Sequence, residues 1–343
     1  MLHGVSTTTK LSLMPQMPSS KVEYLIGSSE AIPLTVCVAA LYAGGGGVIG
    51  ASDRMITAGD VQFEPQQTKL VTLTNSITIM LAGDSSLQME IVYKVRTDIQ
   101  RRLQDNPGTV FEVQEVADLY AHFYVQARRK RSENAILAPI GLDYDSFVLR
   151  QQELAPELVK QLATELINFE MPQVSAIIAG VDTDGGHIYL VHGSDVSCQD
   201  GVGFAAIGAG YWHSNSQLMF GGHHKYRPFP ESLLLVYSSK KRAEVAPGVG
   251  NATDMFIIEG LEGHTAVGLH VLDGLERIYQ TAQNEQKEIE KRSERSARQY
   301  VEEILAAATT KEQEALAENS GGDAPTDQKE LQDGTEESEP QNT

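Results

Sequence analysis

The sequence predicts an α+β fold, two antiparallel sheets packed face to face with helices outside both. Three observations carry that expectation. Apolar stretches with the two-residue period of strands come in pairs, joined by glycine or Asn/Asp turns. Blocks with helical period interrupt them, also in pairs. The order along the chain is strand pairs, two helices, strand pairs, two helices, strands, which suits a layered packing of both element types. A hydrophobic content of 41% in 343 residues supplies the core of one large domain.

TVCVAALY alternates from Thr35, four glycines (Gly44–Gly47) permit a tight turn with positive φ, and GVIGAS returns. KLVTLT and SITIMLAG make a second hairpin around Thr74–Asn75. Helical period takes over in SSLQMEIVYKVRTDIQRRLQ, where Leu87, Ile91, Val92 and Val95 share a face. Asn106–Pro107–Gly108 breaks it, and VFEVQEVADLYAHFYVQARRKR forms the next helix. Residues 134–172 exceed a short link and hold a third helix around 153–168. VSAIIAGVD, a DGG turn, HIYLVH and VGFAAIG return to strands. Helices at 211–220 and in PESLLLVYSSKKRAEV come next, then the strands TDMFIIEG and HTAVGLHV.

Around this domain, set at 35–271, lie three further segments. Residues 1–34, rich in Ser, Thr and Pro, read as a flexible leader or propeptide. A polar helical extension occupies 272–318, with apolar positions at Leu275, Ile278 and Tyr279, then at Tyr300, Val301, Ile304 and Leu305, a pattern that predicts docking at both ends. Residues 319–343 form an acidic tail with too little apolar surface to order. Asp323, Asp327, Glu330, Asp333, Glu336, Glu337 and Glu339 stand there against Lys329 alone.

Charge and cysteine content narrow the function classes. A net charge of −19 argues against sequence-independent binding to nucleic acid or an anionic membrane, both of which need basic patches. Two cysteines, Cys37 and Cys198, make no disulfide framework, and a reducing cytoplasm is the expected location. The leader has no apolar core of a secretory signal, and no run approaches the roughly 18 apolar residues of a membrane span. His213, His223 and His224 lack the helical spacing and acid partner of a metal site, so no metal is expected. GVGFAAIGAG lacks the βαβ surroundings of a nucleotide fingerprint.

TVCVAAL, GVIGASDRMITAG, QTKLV, MLAGDSS leading into a helix, SAIIAGVDTDGG and FAAIGAGY occur in an order and spacing that resemble a proteasome-type (β-subunit-like) subunit of the N-terminal-nucleophile (Ntn) hydrolases, close to the bacterial proteasome-like homologues. The similarity spans roughly residues 33–271. It implies a four-layer αββα sandwich and a threonine-type peptidase whose threonine becomes N-terminal on removal of the leader. It implies a peptide or protein substrate, a homo-oligomeric ring, a regulatory partner, and no cofactor. Asp53 and Lys69, sixteen residues apart, match the family's acid and lysine, and Gly83 in LAGD matches the oxyanion donor. The nucleophile position falls on Cys37 without gaps, on Thr35 if the glycine turn is two residues longer, and on Pro33 if the first strand's core is aligned. Thr35 is preferred, because a cysteine inside TVCVAAL suits the core and cleavage before Cys37 would consume strand. Leu34 stands where a glycine is common, Ala209 where many active members carry a serine, and Glu244 roughly where they carry an aspartate. Those departures keep a second reading open, a catalytically inactive subunit with a structural or regulatory role.

Overall fold

The computed structural model describes residues 34–58, 61–64 and 68–320. The expected leader, apart from Leu34, and the tail beyond Ser320 lie outside them. The chain divides into two compact units at Glu276–Arg277.

The first unit opens with β1 (Cys37–Tyr42) and β2 (Gly47–Ser52), paired antiparallel from Cys37↔Ser52 to Tyr42↔Gly47. Ala43, Gly44 and Gly45 turn between them with positive φ, a conformation glycine adopts without penalty. The Gly44 and Ala43 N–H groups donate to Lys225 O and Arg227 O, so the turn is tied to a distant loop. All twelve strand residues are buried, because both faces of the pair are covered. With β10 (Phe204–Ile207), β11 (Asp254–Glu259) and β12 (Thr265–Ala266) they form a five-stranded antiparallel sheet, β10-β1-β2-β11-β12.

The second five-stranded sheet is also antiparallel and runs β5 (Leu70–Thr72), β6 (Ile77–Gly83), β7 (Val174–Asp182), β8 (Gly185–His192), β9 (Asp195–Cys198). Cys37, Ala39, Leu41, Val48, Phe256 and Ile258 of the first sheet share one buried cluster with Met80, Ala82, Ile177, Ala179 and Ile188 of the second. Alternation within each strand sends the intervening residues to the opposite face. On the second sheet these are Ile77, Ile79, Ala176, Ile178 and Val191, and they pack against α1 (Ser85–Asp105) and α2 (Val113–Ser132).

The sequence explains these helices. Asp84 caps α1 by accepting the Leu87 N–H at 2.7 Å, satisfying one of its orphan donors. Leu87, Ile91, Val92, Val95 and Ile99 then lie on one buried stripe. Burying side chains of this size stabilises the fold by roughly 1.5–3 kcal/mol each, so Ile91→Ala would cost about 2–5 kcal/mol. α5 (Tyr211–Phe220) and α6 (Phe229–Ala243) pack on each other, and α6 also packs on β1 and β2. Among the described residues there are seven α-helices. The segment after α2 holds a π-helical turn (Glu133–Leu137), a 3-10 turn (Ala138–Ile140), α3 (Tyr144–Arg150) and α4 (Pro156–Ile167), closed over Leu137, Phe147, Leu162 and Leu166.

Three expectations need correction. HTAVGLHV is not a full strand. It pairs only at Thr265–Ala266, and Gly268 O accepts from the Val271 and Leu272 N–H groups, which opens α7 (Leu269–Ser320) three residues before the expected start. A small hairpin, β3 (Ile56–Ala58) with β4 (Val61–Phe63), adds to the expected strands, and α3 adds to the expected helices. Considered alone, the second unit is the continuation of α7, which carries Tyr300, Val301, Ile304 and Leu305.

Candidate active site

The first sheet delivers two of the expected residues. Its β1–β2 ladder continues one step past the strand ends, where the Asp53 N–H donates to Val36 O at 3.2 Å. That step sets Thr35 beside Asp53. Arg54 instead holds Asp254, the β11 residue paired with Ser52, through Nε and Nη2. Asp53 is left to turn inward, and it is fully buried.

Five donors converge on that carboxylate. Oδ1 accepts the Thr35 hydroxyl at 2.5 Å, the Val36 N–H at 3.0 Å and the Lys69 ammonium at 2.8 Å. Oδ2 accepts the Met55 and Gly250 N–H groups, each at 3.0 Å. A carboxylate ringed by donors is held in one orientation. The second sheet delivers Lys69, whose carbonyl accepts the Leu81 N–H of β6 at 3.3 Å. Its ammonium also donates to Thr35 Oγ1. The Thr35 hydroxyl therefore sits between an anion that accepts its hydrogen bond and a cation that faces its oxygen.

Of the four expected residues the structure brings three together. Gly83 ends β6 opposite Val174 with φ 119°, and a Cβ there would run into the Gln173 carbonyl. Among the described residues no hydrogen bond joins it to the other three. Cys37, the ungapped alternative for the nucleophile, points into the core between the sheets. Its thiol donates to Leu81 O at 3.5 Å, and burial pushes its pKa up to about 12. A thiol held protonated in this way is a poor nucleophile. Pro33, the third alternative, lies outside the described residues.

The supporting positions are equally specific. The Thr35 carbonyl accepts the Gly210 N–H at 3.1 Å, and a Cβ on Gly208 (φ 88°) would run into that same carbonyl. Ala209 stands between them without a hydroxyl. Glu244 accepts from Lys240 at 2.7 Å and Lys241 at 2.8 Å, at the end of α6. A cavity of about 540 Å³ adjoins this side, walled by Val174, Leu190, Ile207, Gly208 and Tyr211 among others. It carries no carboxylate, ammonium or guanidinium in its lining.

Two residues of this neighbourhood escape a reading of the sequence. Gly250 supplies a backbone N–H to Asp53. Lys240 is fully buried and donates to Gly250 O at 2.9 Å and Asn251 O at 3.0 Å. A signal for Lys240 is present, since it continues the buried stripe Leu233, Val236, Ala243 of α6 at helical spacing. A lysine on such a stripe needs a partner inside. His223 packs edge-on against Phe204, with ring centroids 5.8 Å apart. Among the described residues no group of three His, Cys, Asp or Glu is placed to hold a metal ion, and no helix is long and apolar enough to cross a membrane.

The chain matches no protein-family model and no curated protein sequence.

Proposed function

We propose that the chain is a proteasome-like threonine-type peptidase of the Ntn-hydrolase superfamily, its two sheets and flanking helix pairs forming the αββα sandwich of that class. One observation carries the reading: the Thr35 hydroxyl is bracketed by the Asp53 carboxylate and the Lys69 ammonium, each from a different sheet.

Cleavage between Leu34 and Thr35 frees an α-amine on the same residue as the hydroxyl. An amine of pKa about 8 takes the hydroxyl proton, directly or through water, as Thr35 Oγ1 adds to a peptide carbonyl. Lys69, paired with Asp53, offsets the negative charge on the attacking oxygen. The Gly83 N–H donates to the oxyanion that forms. Collapse expels the leaving amine, which takes the proton from the Thr35 ammonium, and leaves an ester on Oγ1. The Thr35 amine then deprotonates a water that adds to the ester, and the proton passes to Oγ1 as the acid leaves, returning the hydroxyl. Several copies assemble into a ring, so light scattering should give a mass several times 37.4 kDa.

A second reading, an inactive subunit of the same class, draws on Ala209, which offers no hydroxyl where the Thr35 backbone is held. The N-terminal residue of the purified protein separates the two. Thr35 supports the peptidase, and an uncleaved leader supports the inactive subunit.

A further inference from the structure

We propose that Lys240 is a positioning residue for the Thr35 centre, acting through the loop 248–251. Its effect on rate rests on the peptidase reading; its effect on the loop does not.

Lys240 uses its three ammonium protons on Glu244 Oε1, Gly250 O and Asn251 O, at 2.7, 2.9 and 3.0 Å. Burial pulls its pKa down from the ordinary lysine value, against the hydrogen bond and charge of Glu244. A buried ammonium is retained only where hydrogen bonds compensate the lost water. Two of the three bonds here go to loop carbonyls rather than to a charge. Glu244 in addition holds Lys241, so neutralising Glu244 does not by itself call for Lys240.

What the loop carries makes its anchoring matter. The Gly250 N–H donates to Asp53 Oδ2. Gly248 lies against the Leu34 side chain, where a Cβ would run into it, and Val249 shares a buried cluster with Val36. The loop thus touches the residue before Thr35, the residue after it, and the acid that faces its hydroxyl. Releasing the two carbonyls frees the Gly250 N–H, and Asp53 loses one of its five donors, leaving Oδ2 with the Met55 N–H alone. Oδ1 then no longer sits squarely between Thr35 and Lys69. A misplacement of about 1 Å in such a centre costs about 10²-fold in rate.

The test compares Lys240→Met, which keeps the length and removes every donor, with Lys240→Gln, whose amide keeps two N–H donors one bond short. Peptide hydrolysis is resolved into kcat and KM, and exchange of the Gly250 amide is followed by NMR. Lys240→Met should lose about 10²-fold in kcat at unchanged KM and exchange Gly250 faster. Lys240→Gln should recover at least part of both. The proposal is overturned if Lys240→Met keeps kcat and Gly250 protection, or loses kcat with Gly250 still protected. It is also overturned if neither variant folds, which would assign Lys240 to the fold alone. Should the parent protein show no peptidase activity, the peptidase reading fails on its own, and Gly250 exchange still decides what Lys240 holds.

Discussion

Replacing Asp53 by asparagine changes one atom and removes one charge, at a position where every neighbour is a donor. Oδ1 faces the Lys69 ammonium, the Val36 N–H and the Thr35 hydroxyl, while Oδ2 faces the Met55 and Gly250 N–H groups. Either orientation of the new amide points an NH₂ group at a set of donors. With its nitrogen on the Oδ2 side, two backbone N–H groups lose their acceptor, and each costs about 1–3 kcal/mol when buried. With its nitrogen on the Oδ1 side, the amide opposes an ammonium. In both cases Lys69, whose side chain is only 15% exposed, loses its counter-ion. Removing one partner of a buried pair typically costs about 3–5 kcal/mol. Asp53→Asn should therefore lower stability by at least about 3 kcal/mol, a large share of the roughly 5–15 kcal/mol typical of a domain. Urea titration followed by circular dichroism at pH 7 measures it, with Glu153→Gln as the control. The Arg150–Glu153 pair is exposed and should be worth under about 1 kcal/mol. A loss below about 1 kcal/mol for Asp53→Asn, no more than an exposed pair is worth, would mean that the five donors do not converge on a buried carboxylate.

Cys37→Ser should leave peptide hydrolysis within a few-fold of the parent, because the side chain points into the core between the sheets and away from the Thr35 hydroxyl; a loss as large as that of Thr35→Ala would transfer the nucleophile to Cys37. His187 should make stability depend on pH. Burial pulls its pKa down, but the hydrogen bond to Asp200 and the charges of Asp182, Asp200 and Asp184 outweigh it and raise the net value above 6.5. A raised folded-state pKa contributes stability that is fully present below about 6.5 and lost as pH rises through the folded value. The urea midpoint of the parent should thus fall relative to His187→Gln as pH rises above about 6.5, and a constant difference would refute the link. Gly208→Ala should destabilise, since φ 88° is strained for any side chain and the new Cβ meets the Thr35 carbonyl; an unchanged thermal midpoint would contradict that contact.

Much of the fold is legible in the sequence because its strands are apolar and sharply bounded. VSAIIAGVD is β7 over the same nine residues, since a buried run closed by an Asp–Gly–Gly turn leaves little freedom. What escapes is short or polar. β9 reads DVSC, an edge strand that is half exposed, so alternation has no core to report. HTAVGLHV has strand chemistry, but Gly268 ends it and opens a helix. In the site, the family resemblance singles out Asp53 and Lys69 and leaves Thr35 as one of three nucleophile alignments; the side chains of these three meet in the structure. The resemblance does not reach Lys240 or the Gly250 N–H. The first looks like the basic last turn of a helix until its stripe is traced inward, and a backbone donor leaves no trace in residue identity.

The proposed peptidase acts through both the hydroxyl and the freed amine of Thr35. A peptide epoxyketone tests this directly, because it closes a ring on a hydroxyl and an amine of one residue. Treated protein, digested and mapped by mass spectrometry, should carry the adduct on an N-terminal Thr35, and Lys69→Ala should carry none. An adduct on another residue, or none on the parent protein with Leu34 still joined to Thr35, would contradict it.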